Sequence, residues 1–280
     1  MINKRKYYIE NFIGGINREV SPFKLRPEQC YNAENVFSKD GSLEVLKGTS
    51  DRTSSITLTD TFTKAHYYKE GEIILQNGSK VYLISTTAET DITNATHTPS
   101  TVFGYSAILN DKFILTREGK PLVYDPTSSS ITFEISDTNC PPAIYCESFE
   151  NIMFLGNDIT GNLQSRIYYS AFRDPTTWDV SFYIDIAEDK GGKITGLKKF
   201  GNYLVIFKSN GIFTGQFSGD VELPLTLSAV SNIGCKGGDS IVVYEDILFF
   251  QGFDGIYQMD YSFNPIKISE PIRPFLEAMI

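Results

Sequence analysis

Six carboxylates in the middle of the chain are the residues best placed to do chemistry. They are Asp158, Asp174, Asp179, Asp185, Glu188 and Asp189. A suitably spaced pair would supply the acid and the base of a glycoside hydrolase. The last three also suggest calcium, although their spacing does not match the D-x-[DN]-x-[DN]-G loop. Because Asp-Pro and Asp-Gly pairs are typical of turns, we expect these carboxylates to cap turns, and we predict that the protein is not an enzyme.

Histidine, cysteine and serine offer few further sites. His66 and His97 have no metal-ligand partners close in sequence, and the spacings of the four cysteines match no zinc pattern. The sequence contains no phosphate loop, no G-x-G-x-x-G after a strand and no G-x-S-x-G elbow. A Ser-His-Asp triad is recognised by geometry and therefore stays open. We predict no cofactor, no metal, and reduced, partly buried thiols.

Composition limits the partners that the surface would attract. The 280 residues carry a net charge of −9, which argues against electrostatic binding of nucleic acid over the whole surface. The basic N-terminus has no apolar run behind it, and no apolar segment is long enough to cross a membrane. We therefore expect synthesis in the cytosol and no membrane insertion.

A repeated hairpin is the strongest structural signal. Asn210-Gly211 and Asp254-Gly255 each lie between β-branched and aromatic arms, the pattern of a tight β-hairpin. The first arms of five such hairpins begin at Ile73, Phe113, Ile152, Tyr203 and Ile247. The second arms carry aromatics 42 to 45 residues apart, at Tyr82, Tyr124, Tyr168, Phe213 and Tyr257.

This period favours an all-β fold, a β-propeller of about five to six blades, over a two-sheet sandwich. In the six-blade version, residues 36–60 and a strand near 266–268 close the ring. We predict an extended N-terminal arm with a first hairpin over residues 1–50, a propeller over 51–268 and a short C-terminal helix over 269–280. Residues 85–101 form an exposed loop or an irregular outer strand, and 172–195 are an insertion.

Several segments together resemble bacteriophage tail-tube, nozzle or stabilisation proteins. The N-terminal part of the resemblance comprises Gly14-Gly15-Ile16-Asn17, Ser21-Pro22, Asn32, Asn35 and Gly41-Ser42-Leu43 through Gly48. Residues 166–179 and 234–257 are similar to propeller blades of the same group. The resemblance implies a structural component of a phage neck or tail, such as a head–tail adaptor, tail tube or nozzle.

The same resemblance implies partners and a location. These are a homo-oligomeric ring, a hexamer in the virion, with other neck and tail proteins, and genomic DNA passing through the lumen without sequence-specific binding. The protein would be made in the host cytoplasm and reside in the virion. We predict that the partner interface comprises Phe12, Ile13, Ile16, Trp178, Phe182, Tyr183, Phe275, Leu276, Met279 and Ile280.

The alternative function is a receptor- or carbohydrate-binding propeller, an adhesin that uses Trp178, Phe182 and Tyr183. A third alternative function is hydrolysis of a glycan.

Overall fold

The structure is a computed structural model. It describes residues 64–85, 88–99, 104–117, 119–187 and 192–274, and nearer the start 15–16, 21, 24–26, 29–30, 36–39 and 42–45. The chain divides into two compact units. One comprises Met1–Asp51, Asp254–Gln258 and Ile266–Ile280, and the other comprises Arg52–Phe253 and Met259–Pro265.

The first unit begins with two strand pairs. Strands β1 (Gly15–Ile16) and β2 (Gln29–Cys30) pair in parallel. Strands β3 (Val36–Lys39) and β4 (Ser42–Val45) form an antiparallel hairpin in which Lys39 lies opposite Ser42. This strand pair lies in the segment for which the sequence predicts a first hairpin.

Five four-stranded antiparallel sheets follow, numbered blade 1 to blade 5 in chain order. Blade 1 comprises β5 (Lys64–Lys69), β6 (Glu72–Asn77), β7 (Lys80–Ile84) and β8 (Glu89–Asp91). Blade 2 comprises β9 (Ser106–Leu109), β10 (Lys112–Leu115), β11 (Leu122–Tyr124) and β12 (Phe133–Glu134). Blade 3 comprises β13 (Tyr145–Phe149), β14 (Ile152–Asp158), β15 (Leu163–Tyr169) and β16 (Tyr183–Asp185).

Blade 4 comprises β17 (Ile194–Phe200), β18 (Tyr203–Lys208), β19 (Gly211–Phe217) and β20 (Leu225–Ser231). Blade 5 comprises β21 (Val242–Tyr244), β22 (Ile247–Gln251), β23 (Ile256–Met259) and β24 (Ile266–Lys267). Each sheet is a meander in which sequential strands are neighbours. The fold is all-β, a five-bladed β-propeller, as predicted.

The sequence period marks the same strands in every blade. The five first arms are the second strands β6, β10, β14, β18 and β22, and the five aromatic second arms are the third strands β7, β11, β15, β19 and β23. These two strands lie in the middle of each sheet, where both faces meet a neighbouring blade and apolar side chains are required.

Apolar clusters hold consecutive blades together. Ile74 and Val81 of blade 1 pack with Phe113 and Leu122 of blade 2. Blade 3 packs on blade 2 through a cluster that includes Met153, and a larger cluster joins it to blade 4. The Phe207 ring of blade 4 lies 5.2 Å from the Phe250 ring of blade 5. Burial of these faces, at roughly 25 cal/mol per Å² of apolar surface, is the main force that stacks the sheets.

Three details of the predicted architecture need correction or stay open. The blade number is five, because Ile266–Lys267 is the outer strand of blade 5 and does not close a sixth sheet. The extended arm over residues 1–50 and the helix over 269–280 are not confirmed. The described part of the chain contains short 3-10 turns at Gly238–Ser240 and Glu270–Ile272, and residues 275–280 of the predicted helix lie outside that part.

Candidate functional site

Blade 3 carries a long connection from β15 to β16, residues 170–182, and its anchor is Trp178. The indole is 3% exposed and packs in the cluster between blades 2 and 3 with Cys140 and Met153. Its Nε1 donates a hydrogen bond of 3.0 Å to the Pro175 carbonyl. The ring therefore satisfies its one polar atom inside the loop while its apolar face fills the core.

The same connection is tied to blade 2 through backbone atoms. The Trp178 amide donates to Asp137 Oδ2 at 2.8 Å, and the Asn139 side-chain amide donates to the Trp178 carbonyl at 3.3 Å. Both partners lie just after the outer strand of blade 2. The loop thus crosses the junction between the two blades and is fixed on both sides.

Asp174 organises the turn above the indole. Its Oδ1 accepts from the Thr176 amide at 3.0 Å and the Thr176 hydroxyl at 2.7 Å, and its Oδ2 accepts from the Thr177 hydroxyl at 2.7 Å. Lys112 Nζ of blade 2 lies 3.5 Å from Oδ1. Burial raises the pKa of this carboxyl, but the hydrogen bonds from the two threonines outweigh burial and lower the pKa to about 2.

This loop forms one wall of an open groove of about 520 Å³ at the junction of blades 2 and 3, hereafter the outer groove. Its lining residues are mostly polar: Lys112, Asp125, Ser128, Phe133, Ile135, Ser136, Asp137, Thr176 and Thr177. The volume lies within the range of small-molecule sites. Hydroxyls, carboxylates and one ammonium beside a half-buried phenyl ring can exchange several hydrogen bonds with a polyhydroxylated ligand.

Asp125 is the carboxylate of the outer groove that blade 2 supplies. Its Oδ1 accepts from the Thr127 amide at 2.9 Å and the Thr127 hydroxyl at 2.6 Å. These hydrogen bonds lower the pKa of the Asp125 carboxyl and fix its orientation. A carboxylate held in this way accepts hydrogen bonds from ligand hydroxyls without first having to be ordered.

The structure places the predicted interface residues in different environments. Trp178 is buried beneath the outer groove and does not line it. The Phe182 ring stacks on Tyr169 with centroids 5.0 Å apart. Tyr183 is exposed, with the Arg166 guanidinium 3.7 Å from its ring centroid. Outside the described residues lie Phe12, Ile13, Phe275, Leu276, Met279 and Ile280, and of Ile16 the structure describes the backbone.

Sequence reasoning missed the residues that line the outer groove. Lys112 follows a tight turn, and Phe133 and Ser136 belong to a short outer strand and its exit, so none of them is part of the repeated hairpin pattern. The one signal available was Asp125-Pro126-Thr127, a turn former directly after a central strand.

The remaining carboxylates stabilise turns or pair with cations. Asp158 accepts from the Gly161 amide at 2.8 Å, Asp179 from the Ser181 amide at 2.9 Å, and Asp185 pairs with Arg166 at 2.6 Å. The predicted role as turn caps is met at the first two. Glu188 and Asp189 lie outside the described residues. Within the described ranges, no group of three or more His, Cys, Asp and Glu side chains is arranged to hold a metal ion.

One Ser-His pair has the contacts of a nucleophile and a base. His66 Nδ1 lies 2.8 Å from Ser106 Oγ, and Nε2 lies 3.4 Å from Gln76 Oε1. Burial and the nearby Lys64 ammonium lower the pKa of this imidazole to about 4. An imidazole with that pKa is a weak base at neutral pH, and an amide replaces the carboxylate that orients the histidine of a triad. The pair ties blade 1 to blade 2.

A second polar cluster joins the starts of several first strands. Lys64 Nζ lies 2.7 Å from Asp239 Oδ1 and 4.1 Å from the Tyr105 ring centroid, and the Tyr105 and Tyr145 rings are 4.6 Å apart. Burial raises the pKa of both tyrosine hydroxyls. Since these groups contact one another and come from different blades, the cluster holds neighbouring blades together.

Among the described residues, no helix is long and apolar enough to cross a membrane.

Comparison with known proteins gives the fold. No family model matches the chain, and no curated protein matches it. Solved structures do match: the extracellular domain of the one-component system BT4673 from B. thetaiotaomicron has a TM-score of 0.53 at 11% identity, over 74% of this chain and 27% of that one. PorZ, a surface component of the type-IX secretion system of Porphyromonas gingivalis, has a TM-score of 0.50 at 14% identity, over 74% and 28%.

An auxiliary nutrient binding protein from Bacteroides thetaiotaomicron has a TM-score of 0.50 at 11% identity, over 74% of this chain and 56% of that one. The chain thus spans about a quarter to somewhat over half of these proteins.

These findings correct the predicted family and location. The similar structures are an extracellular domain, a bacterial surface component and a nutrient binding protein, and not virion parts, so the resemblance to phage tail proteins and the virion location are wrong. The short Gly, Asn and Ser-Pro motifs behind that resemblance are turn formers that many β-proteins share. The homo-oligomeric ring, the neck and tail partners and the passage of DNA are not tested. What these structures have in common with the chain is a β-propeller.

Proposed function

We propose that this chain is a binding propeller that holds a carbohydrate in the outer groove without chemically changing it. The observation that carries the proposal is the lining of that groove. Four hydroxyl groups, from Ser128, Ser136, Thr176 and Thr177, line the groove together with two carboxylates, Lys112 and Phe133. A sugar presents hydroxyls that both donate and accept, together with an apolar ring face, and this lining has a counterpart for each.

The rigidity of the walls supports the proposal. Asp174 fixes the two threonines, Trp178 fills the space beneath them, and Asp137 holds the Trp178 amide. A groove that is ordered before the ligand arrives loses less entropy on binding. Binding without catalysis agrees with the contacts of the two groove carboxylates, since Asp125 and Asp137 each accept a hydrogen bond from a backbone amide. One of the proteins that share the fold is a nutrient binding protein.

The test is titration calorimetry of the chain with neutral oligosaccharides of the cello, xylo, malto and laminari series. We expect binding by at least one series, and a loss of about tenfold in affinity for Asp125→Asn, because a hydrogen bond to a charged group contributes roughly 1.5–3 kcal/mol.

A matched control is available far from the 170–182 loop, in the connection between β23 and β24. Asp260 Oδ1 accepts from the Ser262 amide at 2.8 Å, the same backbone contact that Asp125 makes with Thr127. Asp260→Asn should therefore leave affinity unchanged. The proposal is overturned if no series binds at millimolar concentration, or if both variants lose affinity equally.

A further inference from the structure

A smaller groove lies beside the outer groove. It has a volume of about 270 Å³ and is hereafter the inner groove. Its lining residues come from the first hairpins of blades 2 and 3 and from blade 4: Ile108, Leu109, Asn110, Ser148, Phe149, Glu150, Asn151 and Lys199. Asn110, Glu150 and Asn151 have φ angles of 51°, 49° and 61°. These left-handed turn positions present their polar side chains at the hairpin tips.

Topology puts both grooves at the same end of the blades. In an antiparallel meander the first and third connections leave a sheet at one end, and the second leaves at the other. The inner groove is built on first connections, which contain Asn110 and Glu150. The outer groove uses the third connections of blades 2 and 3, which contribute Ser128 and Thr176.

The 170–182 loop lines the outer groove and contacts residues that line the inner groove. At one end it lines the outer groove with Thr176 and Thr177. At the other end the Asn110 side-chain amide donates to the Arg173 carbonyl, and the Arg173 amide donates to the Asn151 carbonyl at 2.7 Å. Since Asn110 and Asn151 line the inner groove, hydrogen bonds of this one loop connect the linings of the two grooves.

The two grooves share a polar chemical set. The outer groove combines Lys112 with carboxylates, hydroxyls and a half-buried phenyl ring. The inner groove combines Lys199 with Glu150 and with amide and hydroxyl side chains, whereas its Phe149 is 1% exposed and offers no open ring face. A volume of about 270 Å³ is below the usual size of a complete ligand site, which is roughly 300–1,000 Å³. A groove of this volume could hold one further unit of a ligand that is built from similar repeating units.

We infer that the grooves are consecutive subsites of one site and that its ligand is an oligosaccharide that passes over the 170–182 loop. This inference rests on the proposed function and adds the ligand's length and direction. The outer groove binds the larger part of the chain, and the inner groove binds the next unit through Lys199 and Glu150. Short sugars occupy the outer groove alone.

The test compares oligosaccharides of two to six units from whichever neutral series binds. For the unchanged chain, affinity should rise about tenfold when the sugar becomes long enough to reach the inner groove. Lys199→Ala should remove that rise and leave the affinity for the disaccharide unchanged. Asp125→Asn should weaken the short and the long sugars alike. Lys193→Ala, which removes an exposed lysine next to the start of β17 and outside both grooves, serves as the control.

The outcomes separate this inference from the proposed function. If Lys199→Ala changes nothing at any length while Asp125→Asn weakens binding, the outer groove is a site and the inner groove is not part of it. If affinity is independent of length, the oligosaccharide assignment is wrong. If no sugar of any length binds, the proposed function fails and the inference fails with it. A double variant, Lys199→Ala with Glu150→Gln, guards against partial compensation.

Discussion

Blades 3 and 4 are built on the same four-stranded meander and differ in the connection to the outer strand. In blade 4, residues 218–224 close on themselves, since the Ser218 hydroxyl donates to the Leu223 carbonyl at 2.6 Å. In blade 3, residues 170–182 extend to blade 2 and bury Trp178 there. Both sheets are four-stranded meanders that contain register shifts, so the meander does not dictate how its third connection is used.

The apolar residues of the two connections show the consequence. Val221 and Leu223 of blade 4 are 45% and 59% exposed, whereas Trp178 is 3% exposed. Blade 4 leaves its loop as a surface cap, with Tyr169 of blade 3 donating to the Glu222 carbonyl at 2.6 Å. Blade 3 converts its loop into part of the core. A propeller can thus gain a rigid groove by inserting one large side chain between two blades.

The largest effect is expected where the blade 3 loop enters the core. Trp178→Ala should lower the free energy of unfolding by about 3–5 kcal/mol, because it removes a buried aromatic ring and leaves a cavity. Equilibrium denaturation in urea measures this. A loss below about 1 kcal/mol would show that the loop is not integral to the core and would remove the contrast with blade 4.

The second largest effect on stability is expected at the turn that Asp174 organises, just before Trp178. Asp174→Ala should cost about 1–3 kcal/mol, since three donors from Thr176 and Thr177 lose a charged acceptor. The counterpart in blade 4 is Asp220→Ala, where the carboxylate accepts from the Glu222 amide at 2.9 Å. We expect a smaller loss there, and equal losses in the same denaturation experiment would contradict the comparison.

Acid should weaken the contribution of the blade 3 loop to stability. The folded-state pKa of Asp174 is about 2, below the ordinary value of 3.8, so its contribution is present above about pH 4 and is lost as the pH falls toward 2. After allowance for solvent screening of this partly exposed group, the loss is about 1 kcal/mol. The dependence should be flatter in Asp174→Asn. Thermal unfolding between pH 2 and pH 5 tests this.

The smallest effect is expected in the blade 4 connection. Leu223→Ala and Val221→Ala should each change the free energy of unfolding by less than about 0.5 kcal/mol, because these side chains are largely exposed. A larger loss would mean that this loop also supports the core.

The sequence predicted the middle of each blade and missed its edges. Tyr203–Lys208 and Gly211–Phe217 combine strand-forming side chains with an Asn-Gly turn, and local chemistry alone specifies such a hairpin. Outer strands such as Phe133–Glu134 and Ile266–Lys267 are two residues long, too short to carry a period. That is why the sequence leaves a sixth blade containing Ile266 as an alternative to five.

The candidate site shows a different limit. The sequence predicts that Trp178 lies in a partner interface, whereas the structure buries it in the core. Its burial depends on Cys140 and Met153, which no local pattern brings near it. The groove lining depends likewise on two blades meeting, so Lys112 and Thr177 had no common signal in the sequence.

Three buried cysteine thiols in the described part of the chain can report which region of the fold unfolds first. Cys140 and Cys146 lie in the cluster under the blade 3 loop, and Cys235 lies near the Gly238–Ser240 turn. Burial raises the pKa of each, so alkylating reagents, which attack thiolates, should react once the surrounding structure separates. In a Cys30→Ser background, labelling kinetics would report two regions of one chain separately. Trp178→Ala should accelerate modification of Cys140 ahead of Cys235.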